Sequence, residues 1–181
     1  MNPVAQLDAD TRTRAARVRA LVLDVDGILT DGRLYYSNSG EEIKSFHIQD
    51  GLGIKLLQAG GVPVAIISSR HSPAVERRAR ELGIAHVRLG IARKLEAFEA
   101  LTTELRIEPS DCAGMGDDLP DLAILQRCGF AASVPEAPDA VRASVHYVTR
   151  RTGGRGAVRE VCEVLLAARG HWEATLQEFA S

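Results

Sequence analysis

The stretch that decides the reading is Leu21-Val22-Leu23-Asp24-Val25-Asp26-Gly27-Ile28-Leu29-Thr30-Asp31-Gly32. An apolar run stops abruptly at two carboxylates spaced i and i+2. Glycine, a hydroxyl and a further carboxylate follow. The first half has the pattern of a buried strand. The second half has the pattern of the loop that leaves its C-terminal edge, where open α/β sheets place their chemistry. Two like charges this close repel each other unless a cation or a proton intervenes. A lone acidic strand end can also simply cap a turn, so the rest of the chain has to decide.

The alternation outside this stretch is that of an α/β protein. Strands are expected at 18–23, 62–67, 84–89, 111–115, 130–134 and 145–149. Helices are expected at 52–59, 73–82, 94–105, 122–127 and 157–168, with a short helical tail at 172–179. Asp50 is positioned to cap the first of these helices, and Ser72-Pro73 to open the second. Gly83 is a natural helix stop. Two short strands at 33–37 and 42–46 flank the turn-like Asn38-Ser39-Gly40 and form a candidate hairpin. Strands alternating with helices predict one domain on a mainly parallel sheet. The expected division is an N-terminal tail over 1–17, the domain over 18–170 with its hairpin at about 33–46, and a C-terminal tail over 171–181.

Bulk properties narrow the function classes. The 181 residues carry a formal net charge of -2, which gives no general polyanion-binding surface, so no nucleic-acid partner is expected. No apolar stretch is long enough to cross a bilayer, so no membrane partner is expected. Asp8 and Asp10 stand where a secretory signal would need an apolar core, which predicts a cytoplasmic protein. The three cysteines, Cys112, Cys128 and Cys162, are widely spaced and have the pattern of reduced, buried hydrophobes. They share no zinc-ligand spacing with His86, His146 or His171.

Three strand ends carry polar chemistry: Asp24 and Asp26; Ser68 and Arg70; and Asp117, Asp118 and Asp121. Parallel strands bring such ends to one edge of the sheet. Carboxylates from two loops are hard oxygen ligands suited to magnesium, which also accepts phosphate oxygens.

These motifs give the chain a specific resemblance. Residues 24–32, 46–53 (Phe-His-Ile-Gln-Asp-Gly-Leu-Gly), 67–72, Gly90 with Lys94, 116–121 and 153–160 match, in order, the haloacid dehalogenase-like phosphatases. Within that family the chain is similar to the small members that lack a large cap domain and act on sugar-acid phosphates. The resemblance implies a Rossmann-like three-layer fold with a small hairpin insert. It implies Mg2+ as cofactor and an aspartyl-phosphate formed on Asp24. Asp26 would be general acid, then base, and its backbone carbonyl a metal ligand beside the carboxylates of Asp24 and Asp117. Asp118 and Asp121 would support the metal.

Ser68, Ser69, Lys94 and the backbone of Val25, Asp26 and Gly27 would bind phosphate. Arg33, His47, Arg70 and Arg155 would meet the substrate, with Lys44 a further candidate for its carboxylate. The resemblance also implies a homotetramer whose hairpin covers a neighbour's site. An eight-carbon sugar-acid phosphate is the leading substrate, with a nine-carbon one as alternative. A non-enzymatic phosphoacceptor module is a third reading. Two departures from the family pattern stand out. Ser68-Ser69-Arg70 replaces threonine-glycine-arginine, which raises the question of whether position 69 needs a positive φ. Pro120 stands where asparagine is usual.

Overall fold

A computed structural model describes residues 2–180; Met1 and Ser181, the outermost residues of the two expected tails, lie outside the described residues. Among the described residues the chain forms eight strands and eight α-helices. Helix α1 is Ala9–Arg17, β1 Ala20–Leu23, β2 Tyr35–Tyr36, β3 Glu42–Ile43, α2 Ile48–Ala59 and β4 Val64–Ile67. Then come α3 Pro73–Leu82, β5 His86–Arg88, α4 Lys94–Leu105, β6 Cys112–Met115, α5 Leu122–Leu125 and β7 Phe130–Ser133. Helix α6 Asp139–Arg142, β8 Tyr147–Val148, α7 Ala157–Ala168 and α8 Trp172–Ala180 complete it. Six strands form one parallel sheet in the order β5-β4-β1-β6-β7-β8, and β2 and β3 form a separate antiparallel hairpin. This is the expected α/β fold, with no large separate cap.

The sheet is apolar on both faces because helices cover both. Leu21 and Leu23 of β1, with Val64 and Ile66 of β4, enter a core shared with α2, α3 and α7. Ala20, Val22, Ala65 and Ile67 point the other way, onto Phe98 and Leu101 of α4 and Ile124 beside them in α5. The two-residue alternation thus divides the four residues of each strand between two cores. Fully burying a leucine or phenylalanine is worth about 1.5–3 kcal/mol. Both cores contain such residues with essentially no exposure, so the sheet is anchored from both sides.

The sequence-derived boundaries of α4 and α7 agree with the observed ones, and most strands are shorter than expected by a few residues. Two local expectations need correction. Helix α2 begins at Ile48, so Asp50 lies in its first turn and does not cap it. Its buried carboxylate instead accepts the Gly156 and Arg159 N–H groups at the start of α7, at 3.2 and 2.7 Å. Ser72 stands at the N-cap of α3 ahead of Pro73, yet its hydroxyl makes no cap hydrogen bond. Residues 9–17 form a helix capped by Asp8, which accepts the Thr11 N–H, and Ala15 of that helix is buried in the main core.

Candidate active site

Strand order sets the site. Strand β1 lies between β4 and β6, with Leu23 level with Ile66 on one side and Met115 on the other. The segments that leave these three strands therefore start side by side. Asp24 follows β1 directly, Ser68 follows β4 directly, and Asp117 lies two residues beyond β6. The Asp24 N–H donates to the Met115 carbonyl at 2.9 Å, which fixes the first carboxylate against the third loop.

An open cleft of about 250 Å³ is lined by Asp24, Asp26, Ser68, Ser69, Arg70, Lys94, Asp117, Asp118 and Asp121, among others. Lys94, the first residue of α4, is buried and donates to Asp24 Oδ1 at 2.8 Å and Asp121 Oδ1 at 2.6 Å. Asp121 Oδ2 accepts the N–H groups of Asp117 and Asp118 at 3.1 and 3.2 Å. Asp121 thus closes the acidic loop on itself and ties it to the lysine. Asp118 caps the one-turn 3-10 helix Leu119–Asp121, and Pro120 sits in its first turn, where a missing N–H costs nothing.

Asp24, Asp117 and Asp121 each present an oxygen within 4.8 Å of the others. At an effective dielectric of 20, two unit charges that far apart repel by about 3 kcal/mol. The ionised forms suffer accordingly. Burial, then the charge of Asp121, raises the Asp24 carboxyl to about 6 despite Lys94. Burial, then Asp24, Asp121 and Asp118, raises Asp117 to about 7. Burial works against the Lys94 ammonium, but Asp24 and Asp121 outweigh it and hold its pKa above the ordinary value. Three carboxylates against one ammonium leave a charge of about -2, and a hard divalent cation cancels that charge with oxygen ligands. The donor set therefore fits magnesium.

Glycine is required where the first loop meets the third. Gly27 has φ +85°, and a Cβ there would lie 2.0 Å from Asp117 Oδ2. The Val25 carbonyl accepts the N–H groups of Ile28, Leu29 and Thr30, winding the chain after Asp26 into a tight turn. Ser68 is buried at the mouth, its hydroxyl accepting the Arg70 N–H at 3.3 Å. Ser69 is exposed, and Arg106 is the one non-glycine with positive φ among the described residues. The backbone at 69 thus needs no glycine conformation, which answers the question raised by the serine.

The hairpin folds back on its own chain. The Lys44 side chain is almost completely buried and donates to Asp26 Oδ1, with Glu42 Oε1 3.5 Å away. Glu42 Oε2 accepts from Arg70 at 2.6 Å, and Arg70 Nε lies 3.7 Å from Asp26 Oδ2. Lys44 is thus brought to the catalytic candidates themselves. The sequence offers Lys44 as a candidate for the substrate carboxylate; the structure pairs it with the Asp26 carboxylate.

Arg33 and Arg155 are not in this cleft. They line an adjoining cavity of about 220 Å³ with Asp31, Glu136 and Gly153, which meets the first at Gly32 and Asp117. His47 lines neither cavity. It is the N-cap residue of α2, with a buried Nδ1 that has no hydrogen-bond partner. The late glycine segment packs on backbone: the Gly154 N–H donates to the Ile28 carbonyl at 2.9 Å.

A parallel sheet with two acidic loops and a buried lysine at one edge defines a haloacid dehalogenase-like hydrolase, and the sequence model of that family matches residues 52–129. The 3-deoxy-D-manno-octulosonate 8-phosphate phosphatase KdsC of Escherichia coli K12 is 44% identical over 164 residues, spanning 91% of this chain and 87% of that relative. The crystal structure of the Moraxella catarrhalis phosphatase of the same name, in complex with magnesium, phosphate and KDO, superposes with a TM-score of 0.92. Its identity is 46%, covering 94% of this chain and 98% of that one. The Yersinia pestis phosphatase structure gives a TM-score of 0.90 at 42% identity, covering 91% and 89%. The chain belongs to the 3-deoxy-D-manno-octulosonate 8-phosphate phosphatase family.

Proposed function

We propose that this chain hydrolyses 3-deoxy-D-manno-octulosonate 8-phosphate to the free sugar acid and phosphate, with Mg2+, in lipopolysaccharide precursor synthesis. The observation that carries this reading is the Lys94 ammonium shared by Asp24 and Asp121 at one sheet edge, in a chain 46% identical to a phosphatase crystallised with magnesium, phosphate and KDO.

Asp24 attacks phosphorus, and the bond to the sugar oxygen breaks. Asp26 donates a proton to that oxygen. In the second half Asp26 takes a proton from water, whose oxygen attacks the phosphoryl group and releases Asp24. Lys94 holds the Asp24 carboxylate in place beside the incoming anion. The Ser68 hydroxyl and the backbone N–H groups of Val25, Asp26, Gly27 and Ser69 receive phosphoryl oxygens. The carboxylates of Asp24 and Asp117 and the Asp26 carbonyl would hold magnesium, with Asp118 and Asp121 in support, and the bound cation would supply charge neutralisation of the cluster and of the phosphoryl oxygens. Arg70 in the cleft, and Arg33 and Arg155 in the cavity that adjoins it, are assigned to the sugar acid.

The assembly we propose is a homotetramer in which the hairpin also contributes to a neighbouring site, in a cytoplasmic protein. Exposed Tyr36, Ile43 and Ile48 on and beside the hairpin support a buried assembly surface. No helix among the described residues is long and apolar enough to cross a membrane. Light scattering on the eluting protein tests the tetramer. Phosphate release from a panel of phosphorylated sugar acids with Mg2+ tests the reaction. Highest kcat/KM on the eight-carbon compound and loss with Asp24→Asn are expected. Preference for a nine-carbon compound, or full activity of Asp24→Asn, overturns the assignment.

A further inference from the structure

Asp50 is a charged residue buried to 1% exposure, and no step of the reaction uses it. Its carboxylate crosses to another element and accepts two N–H groups at the start of α7, those of Gly156 and Arg159. The N-cap of that helix is Gly156, at φ +102°, which offers no side-chain cap of its own. Asp50 therefore supplies from a distance the acceptor that the first turn lacks. A carboxylate at a helix N-terminus also meets the positive end of the dipole.

What α7 carries into place is the segment just before it. The Gly154 N–H donates to the Ile28 carbonyl, and a Cβ on Gly153 would lie 1.8 Å from the Gly27 carbonyl oxygen. A Cβ on Gly154 would fall 2.5 Å from the Thr30 carbonyl carbon. Residues 153–154 thus lie directly on the turn that follows Asp26. The same turn also meets Asp117, against Gly27. A second buried carboxylate fixes the other end of the late segment. Glu160 accepts the N–H groups of Arg150 and Arg151 at 3.0 and 3.1 Å and the Tyr147 hydroxyl at 2.6 Å.

We infer that Asp50 is a positioning residue for Asp26, acting through the α7 N-terminus and the 153–154 backbone that braces the turn after it. This inference rests on the proposed role of Asp26 as general acid. Its content is geometric: with the brace loosened, Asp26 misses the leaving oxygen, while Asp24 remains fixed by Lys94 and by Met115. Small misplacements of a catalytic group suffice to cost large factors in rate.

The test compares two leaving groups on one preparation. An alkyl sugar oxygen needs a proton as it departs, whereas the phenolate of 4-nitrophenyl phosphate does not. Asp50→Asn keeps the size of the side chain and removes its charge. The expected result is a fall in kcat/KM for 3-deoxy-D-manno-octulosonate 8-phosphate at least about tenfold greater than the fall for 4-nitrophenyl phosphate. The bias should run in the same direction as that of Asp26→Asn. The ratio of the two activities does not depend on the folded fraction, so a merely structural loss leaves it unchanged. Asp50→Ser, which retains an oxygen acceptor, replaces the first variant if that one does not accumulate, and the same bias is expected. Equal loss on both substrates overturns the brace. No phosphate release from either substrate by the unaltered protein overturns the proposed function instead.

Discussion

Lys94 Nζ lies 2.8 Å from Asp24 Oδ1 and 2.6 Å from Asp121 Oδ1, so one buried ammonium ties the first acidic loop to the third. Removing it would leave two carboxylates facing each other without a cation between them. Breaking one partner out of a buried ion pair costs about 3–5 kcal/mol. Here the carboxylates can relieve part of that by taking up a proton. Lys94→Met is therefore expected to fold, with a lowered Tm, and to lose about 10²–10³-fold in kcat. Steady-state phosphate release and a thermal melt check both parts. Wild-type kcat in Lys94→Met would show that the ammonium has no part in the attack.

The carboxylate cluster makes stability depend on pH in a direction that can be stated. Asp24 and Asp117 hold their protons to about pH 6 and pH 7 in the folded chain, and to ordinary carboxylate values when unfolded. Groups raised in this way favour the folded state at low pH, and the benefit is lost as pH rises through 6 and 7. Without metal, Tm should fall by roughly a few degrees between pH 5.5 and 8. Magnesium should recover most of that at pH 8, since it binds the ionised cluster. Asp117→Asn should flatten both trends. Scanning calorimetry with a chelator and then with Mg2+ is the measurement. A metal-free Tm that rises over this range would reverse the sign.

Much of the site was legible because its residues are written as strand ends. Asp24, Ser68 and Asp117 each stand at or just beyond an apolar run, and parallel pairing then brings them together with no further information. Lys94 needed the family resemblance, since a lysine that opens a helix has nothing local to mark it. Asp50 was misread for a physical reason. An acidic residue in the first turn of a helix ordinarily serves that helix, and its true partners lie more than a hundred residues further along. Lys44 was legible only as a candidate for the substrate carboxylate. Its link to Asp26 depends on how the hairpin folds back, and no periodicity encodes that.

Ser69 provides a substitution expected to do little. It is exposed and does not occupy a positive φ, so glycine there would only enlarge the freedom of the unfolded chain. Ser69→Gly is expected to keep kcat/KM within about twofold and to lower stability by about 0.5–1 kcal/mol. Chemical denaturation and the phosphatase assay read the two quantities separately. A gain of tenfold or more in activity would mean that the serine side chain obstructs the phosphate.

Strands β2 and β3 pair through only two residue pairs, Tyr35 with Ile43 and Tyr36 with Glu42, too few to hold a hairpin in water without other contacts. Its polar ties to the rest of the chain are the Tyr35 hydroxyl on Asp31, Lys44 on Asp26, and Glu42 on Arg70. The Glu42 pair is partly solvated and contributes little by itself. The Lys44 side chain is only 2% exposed, so its ion pair with Asp26 is the stronger anchor. Lys44→Met preserves the length of the side chain and removes the charge. Amide exchange should then accelerate across 35–43 while the protection of 94–105 stays unchanged. Since Asp26 would then rely on Arg70, at 3.7 Å, kcat/KM should fall by about tenfold. Unchanged exchange across the hairpin would show that its placement depends on contacts other than Lys44.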